Sequence, residues 1–192
     1  ALAAQRLEIT IPVAGDGQRF GYLSQLLPKC LLPIWNQPIL YYGIHTLLQM
    51  GINDILIILN PKQDIVKKYV QEEFYKSDIH FSFQYQEELN GTAKAILKAE
   101  EFVEDEFVVV LGDDFTQGNH LHEFLIFAHE KQVIAVQTVI EEENLNTLKQ
   151  TCAIKMDQNH FIETIVEKPT HPTVSLRGCG IYFFTQNIFS FI

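Results

Sequence analysis

Apolar residues recur along this chain in two rhythms, and their alternation predicts its elements. Residues 7–14 are rich in β-branched side chains and read as a strand, ending in a turn that carries Gly15, Gly17 and Gly21. Residues 37–50 place Ile39, Leu40, Ile44, Leu47 and Leu48 at helical spacing and stop at Gly51. Residues 54–60 hold the unbroken run Ile-Leu-Ile-Ile-Leu, as expected of a strand covered on both faces. Residues 63–75 read as a helix with Ile65, Tyr69 and Val70 on its apolar side, and 80–86 as a strand alternating Phe81, Phe83 and Tyr85 with polar residues. A helix over 92–102 is followed by a buried strand over 106–111 that runs into Gly112-Asp113-Asp114. Residues 120–131 are helical and 133–140 extended. The rhythm then changes: 152–156 and 161–167 read as a hairpin across Asp157-Gln158-Asn159, and 175–184 as a further strand.

Strands alternating with helices of this length imply βαβ units: an α/β fold with a mostly parallel, mixed sheet and helices on both faces. No repeat, low-complexity stretch or Gly/Ser linker interrupts residues 1–192, so a single domain is expected. Open sheets of this kind bind ligands beyond the carboxyl ends of their strands. Function is therefore sought in the turns after Ala14, Gln86, Leu111, Val166 and the last strand.

Composition narrows the ligand. With 47% hydrophobic and 20% charged residues the chain is globular rather than disordered. Fourteen Lys and Arg against 24 Asp and Glu give a net charge of −10. Such a field argues against nucleic acid and anionic membranes as partners, but it leaves room for an anionic small molecule in a locally basic pocket. Cys30, Cys152 and Cys179 are sparse and odd in number, which points to reduced thiols and a cytoplasmic setting. No apolar run approaches the roughly 18–20 residues that span a bilayer.

Three turns carry candidate chemistry. Ala14-Gly15-Asp16-Gly17-Gln18-Arg19-Phe20 follows the first strand, and its glycines let backbone N–H groups face a phosphate chain. Phe20 replaces the last glycine of the dinucleotide fingerprint, and no P-loop motif occurs. Arg19, then Lys29 ten residues later, would neutralise phosphate oxygens as a planar fork and a point charge; the same residues also fit a plain glycine turn with two surface cations. Asp113 closes a buried strand, where a carboxylate can hold Mg²⁺ against a nucleotide, or simply make an Asp turn or helix cap. Glu167-Lys168-Pro169 could meet sugar hydroxyls and a second phosphate, or form an exposed ion pair. His120 and His122 do not share a helical face, so a histidine metal site is set aside. Asn90-Gly91-Thr92 matches a glycosylation sequon only by accident. Neither a nucleophilic serine elbow nor a Cys-His arrangement appears.

Taken in order, these pieces resemble the sugar-phosphate nucleotidylyltransferases, the nucleoside-diphosphate-sugar pyrophosphorylases. The likeness lies in residues 14–20, in Pro28-Lys29-Cys30-Leu31-Leu32-Pro33-Ile34 and in Gln37-Pro38-Ile39-Leu40. It continues through Gln86 with Gly91-Thr92-Ala93-Lys94-Ala95, Leu111-Gly112-Asp113-Asp114, Glu167-Lys168-Pro169 and Gly180-Ile181-Tyr182. The resemblance implies a Rossmann-like nucleotide-diphospho-sugar transferase fold. It implies the Mg²⁺-dependent reaction of an NTP with a sugar 1-phosphate to give an NDP-sugar and pyrophosphate, closest to glucose-1-phosphate thymidylyl- and uridylyltransferases. Carried over by position, Ala14, Gly15, Asp16, Gly17 and Gln18 would wrap the triphosphate, and Arg19 and Lys29 would serve catalysis by holding phosphate charge. Gln86, Gly91 and Thr92 would bind the nucleotide's base end, and Asp113 the metal. Gly112, Glu167, Lys168 and Gly180 would bind the sugar phosphate. Gln18 stands where the family has Thr or Ser, Tyr22 where it has Pro, Ser24 where it has Thr, and Asp114 where it has Asn or Ser. The family pattern also continues past Ile192 to a second metal-binding Asp, so a carboxyl-terminal segment is expected to be missing. Two alternatives share the fold: a non-catalytic nucleotide or sugar-nucleotide module, and a cytidylyltransferase acting on an alcohol phosphate. A homo-oligomer stays open.

Overall fold

The computed structural model describes residues 8–13, 27–88, 90–114 and 120–192. Strand β1 (Glu8–Pro12) is followed by a two-residue hairpin, β2 (Pro33–Ile34) and β3 (Gln37–Pro38), then helix α1 (Ile39–Gln49) and β4 (Asp54–Leu59). Next come α2 (Asp64–Glu73), β5 (His80–Tyr85), α3 (Thr92–Leu97) and β6 (Glu106–Val110). The remainder is α4 (His120–Lys131), β7 (Ala135–Glu141), α5 (Leu145–Gln150), β8 (Cys152–Met156), β9 (Ile162–Glu167) and β10 (Leu176–Thr185).

The main sheet has the order β5-β4-β1-β6-β10-β7. β5, β4, β1 and β6 are mutually parallel, and β10 joins β6 antiparallel. The predicted mostly parallel, mixed sheet is thus present. From β1 the chain moves outward to β4 and β5, then returns to β6 on the other side of β1. The order reverses there, and the crevice beyond the carboxyl ends of β1 and β6 is the place where such sheets bind ligands.

The sheet sorts its side chains by the period of two that a strand imposes. Ile55, Ile57 and Leu59 of β4 and Val108 and Val110 of β6 join α1, α2 and α4 in one cluster. Leu56 and Ile58, with Phe107 and Val109, join α3 and Phe189 in a second. That is why the β4 run is apolar throughout: both of its faces are covered.

Two expectations change, and the predicted late hairpin is present. On α2 the core-facing residues are Val66 and Val70, both 0% exposed, while Ile65 stands 49% exposed, because a position about 100° round the helix misses the sheet. The predicted helix over 92–102 is α only to Leu97; bonds from Ala99 N to Ile96 O and Phe102 N to Ala99 O tighten the rest into 3₁₀ turns that bury Ala99 and Val103. The late hairpin β8–β9 forms its own two-stranded sheet.

The chain divides into two compact units, one of Ala1–Val136 with Ile181–Ile192 and one of Gln137–Gly180. Among the described residues, no helix is long and apolar enough to cross a membrane.

Candidate functional site

In the first unit, Lys29 begins a single 3₁₀ turn, Lys29–Leu31, whose next residues Cys30 and Leu31 are 3% and 6% exposed. Burying those two fixes the backbone that carries the lysine. Its Nζ donates to Asp113 Oδ2, closing an ion pair between positions 84 residues apart. Asp113 follows β6 on a turn closed by Asp114 N bonding Leu111 O at 2.9 Å, and Gly112 N reaches Pro12 O at 3.2 Å. A Cβ on Gly112 would lie 2.1 Å from Val13 Cγ1. Only glycine lets the turn after β6 close against the residue that leads into the loop after β1. The same turn bears on the Cys30 thiol, whose pKa burial first and the Asp113 charge second push up to about 12. That thiol stays protonated and unreactive at neutral pH.

A second cluster lies at the end of β5. Gln86 is 5% exposed, and its Nε2 donates to Gly91 O and to Asn90 Oδ1, each at 3.1 Å. The Gly91 carbonyl can only accept, so it fixes which end of the amide is nitrogen. Both amide hydrogens are then used, and Gln86 has the acceptor Oε1 left to offer. Gly91, at φ +105°, ψ 167°, occupies a region essentially reserved for glycine and starts α3 at Thr92. The amide sits in the wall of an open pocket of about 520 Å³, with Asn90, Lys94 and Lys98 also lining it.

In the second unit, β9 pairs with β8 in a register that sets Glu167 opposite Cys152, and Lys168 N donates to Thr151 O at 2.7 Å. Lys168 holds φ +46° directly before Pro169, a left-handed backbone that a lysine in front of a proline rarely adopts. Pro169 is buried while Glu167 and Lys168 are exposed, so the strained peptide is anchored and its charged neighbours are displayed. Lys168 Nζ stands 3.6 Å from Glu167 Oε1. Gly180 is buried on β10, one residue past Cys179, whose carbonyl accepts from Gln137 Nε2 at 3.2 Å.

The structure thus joins Lys29 with Asp113 beside Gly112, Gln86 with Gly91, after which Thr92 starts α3, and Glu167 with Lys168. The expected phosphate-loop residues Ala14, Gly15, Asp16, Gly17, Gln18 and Arg19 lie outside the described residues. Asn90 was not expected to matter; its short polar side chain beside Gly91 is the signal that it holds Gln86. Among the described residues no three His, Cys, Asp or Glu side chains converge on a metal position. Asp113 nevertheless fits Mg²⁺, which is held by one or two carboxylates together with substrate phosphates and water. In this structure that carboxylate is engaged by the Lys29 ammonium.

A cation and a carboxylate paired at the switch point of the main sheet give the chain the architecture of a ligand-binding, doubly wound α/β protein, with Gln86 two strands away at the end of β5. The chain belongs to the nucleotidyl transferase family, whose pattern matches residues 10–192. It is 33% identical over 186 residues to the bifunctional protein GlmU of Methanocaldococcus jannaschii, covering 97% of this chain and 42% of that protein. It is 28% identical to the glucose-1-phosphate thymidylyltransferase of Neisseria meningitidis, covering 94% of this chain and 62% of that one. A solved Bacillus anthracis structure in complex with sucrose, assigned as a glucose-1-phosphate thymidylyltransferase, superposes with a TM-score of 0.84 at 26% identity. That match covers 96% of this chain and 74% of the other. The fold is the Rossmann-like nucleotide-diphospho-sugar transferase fold, and the chain spans about two fifths of the Methanocaldococcus relative.

Proposed function

We propose that the protein is a sugar-1-phosphate nucleotidylyltransferase, joining an NTP to a sugar 1-phosphate with release of pyrophosphate. The observation that carries this reading is the Lys29–Asp113 pair beside Gly112, placed where the sheet order reverses. A sugar-phosphate oxygen, already ionised at pH 7, attacks the α-phosphorus. The bond from that phosphorus to the bridging oxygen breaks, and pyrophosphate leaves with the electron pair. No general base is required, so the protein's work is to bring two anions together and neutralise them.

In this reading Lys29 and Arg19 hold phosphate charge, and the loop over residues 14–18 wraps the triphosphate. Asp113 would hold Mg²⁺, which when bound supplies charge neutralisation on the phosphates. Gln86, Gly91 and Thr92 take the base. Because Gln86 offers an acceptor, it suits the ring N–H of uracil or thymine and disfavours cytosine, whose ring nitrogen there is itself an acceptor. Glu167 accepts from sugar hydroxyls, Lys168 meets the sugar's phosphate, and Gly112 and Gly180 offer the sugar phosphate their backbone polar groups. The two units are taken as parts of one nucleotidyltransferase domain. Free Cys30, Cys152 and Cys179 accord with a cytoplasmic setting.

The test is pyrophosphate release from UTP, dTTP and CTP over a panel of sugar 1-phosphates with Mg²⁺. Release is expected only when all three components are present, with UTP or dTTP ahead of CTP. Arg19→Ala should lower it on the order of 10²-fold or more with folding intact. Tight nucleotide binding with no pyrophosphate from any sugar phosphate would support a binding module instead.

A further inference from the structure

The first unit contains a direct bond between two groups to which the proposed reaction gives different partners. Lys29 would meet phosphate and Asp113 a divalent cation, yet here each holds the other. Neither backbone is placed to relocate. Cys30 and Leu31 pin the 3₁₀ turn into the core, and bonds from Gly112 N to Pro12 O and from Asp114 N to Leu111 O close the turn of Asp113. Side-chain torsions must therefore do the separating. The ammonium that engages the carboxylate oxygen repels a further cation at close range and occupies its place. A polyphosphate, with several anionic oxygens, competes for that ammonium better than a single carboxylate does. Both side chains are 36% exposed, so the pair is screened by solvent and opens readily, as a gate must and a structural strut need not.

We propose that Lys29 is the resting counter-ion of Asp113. It keeps the carboxylate closed to a divalent cation until a polyphosphate draws the ammonium away, so that metal enters with the nucleotide rather than ahead of it. The inference rests on the roles given above to these two residues. Linkage makes it reciprocal: Asp113 equally holds Lys29 back from phosphate.

The experiment titrates the metal-free protein with Mn²⁺, reading the free ion by electron paramagnetic resonance, with no nucleotide present. Lys29→Met should bind Mn²⁺ at least about fivefold tighter than wild type, whereas Lys29→Arg, which preserves the pair, stays close to wild type. Equal affinities in Lys29→Met and Lys29→Arg overturn the proposal. In a second arm, with EDTA present, Asp113→Asn should bind UTP at least about threefold tighter than wild type. Asp114→Asn removes the same charge one residue along and should change UTP affinity clearly less; equal tightening in the two overturns the reciprocal coupling. The Mn²⁺ arm needs neither nucleotide nor turnover. Failure of every variant to bind UTP would count against the transferase reading, and the Mn²⁺ titration would still decide the role of Lys29.

Discussion

At the end of β6, Asp113 stands on a turn that a glycine locks against Val13, with its cation anchored by two core residues. At the end of β9, a strand exposed at all six positions, stand Glu167 and the next residue, Lys168, and what fixes them is backbone geometry: a register, one amide bond and a left-handed lysine before a buried proline. The first pair is held by packing and the second by turn chemistry. Where packing holds a site, stability and function fail together; where backbone geometry holds it, they separate.

The largest effect should therefore fall at Gly112. Gly112→Ala forces a Cβ to 2.1 Å from Val13 Cγ1 and should cost about 1–3 kcal/mol in chemical denaturation while also suppressing pyrophosphate release. Gly43→Ala sharpens the contrast on α1. Its new Cβ would lie 3.6 Å from Asp114 O, an ordinary contact, so the helix should gain up to about 1 kcal/mol with the adjacent turn undisturbed.

In the second unit, Lys168→Gly relieves the left-handed strain but removes the charge. Stability is expected to stay within about 1 kcal/mol of wild type, because relief of strain offsets the entropy that glycine restores to the unfolded chain. KM for the sugar phosphate should nevertheless rise on the order of tenfold while KM for the nucleotide holds, and equal rises in both would erase the division of labour.

The smallest effect concerns the tip of the hairpin. Asp157 Oδ1 accepts from Phe161 N and Asn159 N, each at 2.8 Å, and these amides, Phe161's first, hold its carboxyl below the usual range. Its contribution is then complete above the unfolded value of about 3.9 and is lost as pH falls through the lower folded one. Protection of the Asn159 and Phe161 amides from exchange, relative to their intrinsic rates, should fall below about pH 4, and Asp157→Asn should remove that pH dependence.

Much of this was legible in the chain itself. The helix His120–Lys131 and the strand Cys152–Met156 match their predicted bounds. The hairpin β2–β3 was not legible: two-residue strands carry no period, and each contains a proline. Nor was α5, six residues long with Leu148 alone buried. Among the candidate residues, type and spacing singled out Lys29, Asp113 and Lys168, and the family resemblance added Gln86. What they could not supply was contact across 84 residues, the orientation of the Gln86 amide, or the strain at Lys168, all of which arise from tertiary packing.

The most direct measurement is the rate of pyrophosphate release from UTP and glucose 1-phosphate with Mg²⁺, compared among wild type, Lys29→Met and Asp113→Asn at matched thermal stability. Each substitution is expected to lower kcat/KM on the order of 10²-fold or more. Retention of wild-type rates by both, in protein that melts as the wild type does, would contradict a phosphate-transfer site at the β1–β6 crevice.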